Sequence, residues 1–132
     1  MNARSIIHAE YTRQRTISFQ WGVSDCALTA ADFALVLTGR DPLARFRGVY
    51  DSETGARRHM LANGWRDMGD LAAAHFAEIP LGRARSGDWA HVVNEDGTDT
   101  LGVVIGAQIV ARGQGGLMTV PLSRANRAFR VE

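Results

Sequence analysis

No lysine occurs among the 132 residues; all fifteen basic side chains are arginine. An arginine-only basic set fits a GC-rich coding bias and says little about partners. Charge of either sign is not in excess: fifteen basic residues meet fourteen acidic ones, for a net charge of +1. That balance argues against nucleic acid or an anionic membrane surface as a partner. There is one cysteine, Cys26, which excludes an internal disulfide and a multi-cysteine zinc site. Long apolar runs are also missing. The most apolar stretch, Leu101 to Ala111, is interrupted by Gly102, Gly106 and Gln108, and falls short of the roughly 20 apolar residues a bilayer span needs. Met1 to Tyr11 carries charge and His8 and has no continuous apolar core, so no signal peptide is expected. What is present is ordinary globular composition, 45% apolar and 22% charged, in a length suited to a single domain over residues 1–132.

The chain reads as a helical half followed by a strand half, an α+β arrangement. Asn2 to Gln14 has apolar residues at helical spacing. A second helix is predicted from an N-cap at Ser24 to about Leu37, ended by Gly39 and Asp41-Pro42. Asp51 or Ser52 caps a third helix through Leu61, and Asp67 or Asp70 begins a fourth that ends before Pro80. From Gly87 the period shortens. Trp89–Val93, Leu101–Ile105, Gln108–Arg112, Leu117–Val120 and Ala128–Val131 read as five short strands of an antiparallel meander. The acid-rich segment Asn94 to Asp99 lacks the length and terminal glutamate of a calcium loop and reads as a solvated hairpin turn. Gly113 to Gly116 joins two strands and opens no helix, so it is not a phosphate loop. The arginines at 57, 58, 66, 83 and 85 read as a solvated face, though arginine also favours protein interfaces.

Phe19-Gln-Trp-Gly-Val-Ser-Asp-Cys26 is the segment with the most chemistry. A cysteine in the first turn of a helix meets free N–H groups and the positive end of the helix dipole, which lower a thiol pKa. Gly22 permits a sharp turn, and Trp21 can wall a groove. This is how a nucleophilic cysteine is built; a small buried residue is the plainer alternative.

Trp-Gly-x-x-Asp-Cys opening a helix resembles the nucleophile segment of the NlpC-like cell-wall cysteine peptidases, a branch of the papain-like fold. Arg85-Ser-Gly-Asp-Trp89 resembles that family's entry into its first core strand. Leu101-Gly-Val-Val-Ile-Gly106 resembles the strand that begins His-Val-Gly-Ile in active members, and Gln108-Ile-Val-Ala-Arg112 resembles the next. The resemblance spans about residues 19–131. Thr38-Gly-Arg-Asp-Pro42, Gly48-Val-Tyr50, Gly116-Leu117 and Val120-Pro-Leu122 further resemble small proteins encoded among phage and prophage tail genes. The resemblance implies N-terminal helices packed on a five-stranded antiparallel sheet. Cys26 would be the candidate nucleophile, with Trp21, Gly22, Asp25 and Thr100 lining the cleft.

The departures are as informative. Aligned on Gly102, the family's histidine base falls on Thr100, or on Leu101 one residue along, and the third polar residue falls near Ala111. None of these accepts a proton from a thiol near neutral pH. Of the four histidines, His91 alone lies on a predicted core strand and is the candidate base. His59 and His75 fall on helices that the family places away from the cleft, and His8 precedes the matched region. No histidine pair has the spacing of a helical zinc site, so no metal or other cofactor is expected. The resemblance therefore implies a phage or prophage tail-tip component with impaired turnover, partnered by tail proteins and peptidoglycan peptides. The virion tail or the producing cell's cytoplasm is the expected location. The alternative is a working cysteine endopeptidase or amidase that uses Cys26.

Overall fold

A computed structural model describes residues 2–132. Four helices come first: α1 (Ala3–Gln14), α2 (Cys26–Thr38), α3 (Glu53–Ala62) and α4 (Met68–Ala73). Six strands follow: β1 (Glu78–Ile79), β2 (Trp89–Val93), β3 (Asp99–Ile105), β4 (Gln108–Gly113), β5 (Gly116–Pro121) and β6 (Arg127–Phe129). They form one antiparallel sheet in the order β1-β6-β2-β3-β4-β5. Among the described residues, no helix is long and apolar enough to cross a membrane.

The architecture is the expected α+β one, with four corrections. The sheet has six strands, not five, because Glu78 and Ile79 pair with Phe129 and Ala128. Two residues before a proline carry no readable period, so the sequence pattern misses this strand. The meander holds only from β2 to β5; β6 returns to pair with β2 on the opposite side. β6 also stops at Phe129, short of the expected Val131, whose N–H turns to the Asp88 carboxylate. Finally, the N-cap of α2 is Asp25, whose carboxylate accepts from Leu28 N at 2.9 Å. Ser24 spends its hydroxyl on Ser18 O.

α2 is the helix on which the rest is built. Ala27, Leu28, Ala30, Ala31, Phe33 and Ala34 are all buried. The alanines let the helix approach the sheet closely, and Phe33 and Leu28 fill the space between, each contributing about 1.5–3 kcal/mol by burial. Trp89 on β2 is fully buried and donates its indole N–H to Ala30 O at 3.0 Å, satisfying the indole while fixing the helix on the strand. The Gly39 C-cap adopts φ +79°, a left-handed conformation that glycine reaches without a Cβ penalty. On the far side of the sheet Ala90, Val92, Val104 and Ile109 form a second apolar cluster, covered by Ala84, Leu122 and Ala125.

Candidate functional site

Cys26 is the first residue of α2, directly after its cap. The cap is more than a helix stop. Asp25 accepts from Leu28 N through one oxygen, and from Gly22 N at 3.0 Å and the Tyr50 hydroxyl at 2.6 Å through the other. Gly22 has φ +78°, and a Cβ there would lie 1.9 Å from Tyr50 O. Gly48 N completes the contact by donating to Gly22 O. The Trp-Gly and Gly-Val-Tyr segments are thus one structure, closed around the Asp25 carboxylate. Burial, followed by the neighbouring Asp25 charge, pushes the Tyr50 phenol far above its ordinary range, so it remains a donor.

On the sheet side, β3 and β4 part where the thiol meets them. Their ladder runs from Ile105↔Gln108 only to Val103↔Val110. β3 nevertheless continues paired with β2 to Asp99, and β4 with β5 to Gly113. The Leu101 N–H, left without a β4 partner, and the Thr100 hydroxyl both act on the Cys26 thiol in favour of the thiolate. Gly102 sets the start of the gap: a Cβ there would lie 2.8 Å from Val110 O and 2.5 Å from Ile109 Cγ2. A cleft of about 270 Å³ opens beside the gap, lined by Phe19, Trp21, Cys26, Thr100, Ala111 and Met118, among others. Phe19 and Trp21 meet edge to face, with centroids 4.8 Å apart.

The electrostatics run against the expectation of an acidified thiol. Burial is the largest influence and pushes the Cys26 pKa up; the charges of Asp25 and Asp99 add to it. The Leu101 N–H and the Thr100 hydroxyl favour the thiolate but do not reverse the balance. The helix terminus is already occupied by a carboxylate, so its positive end is largely answered before the sulfur meets it.

The histidines are placed as follows. His91 is buried on β2; its Nε2 lies 2.7 Å from Asp99 Oδ2 and its Nδ1 3.4 Å from Asn126 Nδ2. Neither nitrogen is bonded to the thiol. Burial raises the Asp99 carboxyl, but the hydrogen bonds from His91 and Met68 N–H outweigh it and leave Asp99 below the ordinary carboxylate range. Asp67, His91 and Asp99 bring one donor atom each within 4.8 Å of one another. The imidazole–carboxylate contact among them is a hydrogen bond, and Asp67 Oδ1 is committed to capping α4. His75 bonds Leu71 O. His59, expected away from the cleft, instead lines a narrow cavity of about 30 Å³ on the helix side of Cys26, together with Asp25, Tyr50 and Trp65. Its Nε2 is buried and has no hydrogen-bond partner. Sequence spacing had no means of placing it there, because the docking of α3 against the start of α2 is a non-local event.

Arg112, next to the position of the family's third polar residue, is 2% exposed. Its guanidinium donates to Gln14 Oε1, Ile17 O and Thr29 Oγ1. Gln14 in turn donates to Glu10 and Asp32, and Asp32 accepts from Arg47. This network ties α1 and the aromatic loop to the sheet. No local pattern signals this network beyond the presence of an arginine in a strand.

Residues 2–131 match the model of a family described as a domain of unknown function, DUF6950. The chain belongs to that family. No curated protein matches it. Among solved structures it is similar to the NlpC/p60 domain of the peptidoglycan hydrolase SagA, with a TM-score of 0.59 and 16% identity over 98% of this chain and 99% of that one. At that identity the likeness establishes the fold, which is NlpC/p60, papain-like, with helices packed on an antiparallel sheet.

Proposed function

We propose that this chain is a phage or prophage tail-tip component in which an NlpC-like scaffold serves assembly or recognition of cell-wall peptides, with turnover impaired. The observation that carries the reading is the neighbourhood of the sulfur. Cys26 faces the Thr100 hydroxyl and the Leu101 N–H, with Asp25 and Asp99 the nearest charges acting on it, and its pKa is raised. A hydroxyl can donate to a thiolate, but it does not take the thiol proton near neutral pH or return it to a leaving amine, and amide cleavage requires both. The fold shared with a peptidoglycan hydrolase domain supports peptidoglycan peptides as the ligand class. Trp21 and Thr100, which line the cleft, are the residues we place against such a peptide; Gly22 and Asp25, expected there too, are buried and instead hold the loop that carries Cys26. Tail proteins are the assembly partners.

Comparing the wild-type chain with Cys26→Ala tests this. The expected result is no muropeptide cleavage by either, with peptide binding or tail assembly retained in the variant. Cleavage that depends on Cys26 overturns the reading. The competing reading, a working endopeptidase or amidase, is favoured by one observation: the buried, unpartnered Nε2 of His59 on the cavity it shares with Cys26. Cleavage lost in both Cys26→Ala and His59→Ala would establish that reading instead.

A further inference from the structure

The two edges of the sheet differ. β1 contributes two residues, and Glu78 on it is held by the Arg127 guanidinium at 2.7 Å. β5, at the other edge, runs six residues from Gly116 to Pro121 with no strand beyond it. Its sequence, Gly-Leu-Met-Thr-Val-Pro, carries no charged side chain, and Met118 at its middle is 51% exposed. α2 packs on β3 and β4 and α4 on β2, β3 and β6, whereas no helix makes comparable contact with β5. Open sheet edges are ordinarily blunted by lysine, by inward-pointing charge or by a covering element. Here the single blunting feature is Pro121, which removes one donor at the end of the strand.

We infer that β5 is a self-association edge, on which a second copy of this chain pairs its own β5 antiparallel about a two-fold axis to extend the sheet across both copies. A second copy is the occupant for three reasons. Antiparallel pairing of a strand with itself is self-complementary, since each outward N–H meets an outward C=O related by the axis. The uncharged strand sets no like charges opposite one another, and the net charge of +1 opposes association little. The far edge is too short, and too committed to Arg127, to receive β5 head to tail, so association closes at two copies. With the axis normal to the sheet, the two Cys26 clefts lie on the same face, because Met118 and Val120 line the cleft as well as the edge. The inference is independent of what that cleft binds.

Sedimentation equilibrium of the wild-type chain, from low-micromolar to submillimolar concentration, tests it alongside Met118→Lys and Thr119→Lys. These two variants place a cation on either face of the strand and change no buried group. The expected result is a mass that rises with concentration to twice the monomer and no further in the wild type. Both lysine variants should remain monomeric throughout, with wild-type circular dichroism and melting. A wild type that stays monomeric overturns the inference. So does a mass that grows past two copies, or a dimer that survives both lysine substitutions.

Discussion

Arg112 on β4 and Thr100 on β3 stand on either side of the gap where the two strands part. Around Arg112 the guanidinium donates from all three of its nitrogens, and one of its partners, Gln14, is bonded onward to Glu10 and Asp32. Around Cys26 the Leu101 N–H and the Thr100 hydroxyl favour the thiolate, while burial and the Asp25 and Asp99 charges oppose it. One region spends its polar groups on holding α1 and the aromatic loop in place. The other sets a thiol at a helix start with no proton acceptor bonded to it. Scaffold and chemistry are therefore separable in this fold, and the scaffold is the better furnished of the two.

Substitution can sharpen or break that contrast. The largest effect is expected from Arg112→Ala, which strands buried acceptors on α1, on the loop and on α2. A loss of about 3–5 kcal/mol in urea unfolding is expected. Arg112→Met, which keeps the packed stem, should lose less. A cost near zero for Arg112→Ala would show that the network is not structural. Gly22→Ala comes next. Its positive φ and the 1.9 Å approach to Tyr50 O predict a loss of about 2–3 kcal/mol, read as a lower melting temperature.

Thr100→His addresses the other side of the contrast. In the wild type, alkylation of Cys26 should remain slow until the pH passes the ordinary thiol value, since burial raises its pKa. An imidazole at position 100 should raise the neutral-pH rate by about tenfold and move the midpoint down. Rapid wild-type alkylation at neutral pH would break the comparison. The smallest effect belongs to Asp99→Asn. A carboxyl held below its ordinary range when folded contributes stability above the unfolded-state value, and that stability is lost as the pH falls through the folded value. The variant should therefore cost about 1 kcal/mol at neutral pH and flatten the acid limb of the stability profile.

Much of the frame was legible from local chemistry. Ser52 and Asp67 cap α3 and α4, each being one of the two residues that the sequence offers for its cap. Gly39 ends α2 as its position before Asp41-Pro42 demands. Of the expected strands, β2 through β5 appear within a residue or two of their predicted bounds, since alternation and glycine turns are short-range signals. Thr100 against the thiol was reachable by alignment on Gly102. β1 was not legible, because a two-residue strand exists through its partner. Nor was the return of β6 to β2, the approach of His59 to the Cys26 cavity, or the Arg112 network, each of which joins residues far apart in the chain.

By itself, then, the sequence determined where the four helices and strands β2 to β5 lie, that one thiol opens the central helix, and that position 100 carries a hydroxyl. Those features depend on neighbours a few residues away. The tertiary structure alone decided how acidic that thiol is, which histidine approaches it and which sheet edge stays open. Desolvation and pairing depend on atoms brought together from distant parts of the chain, and no local pattern records them.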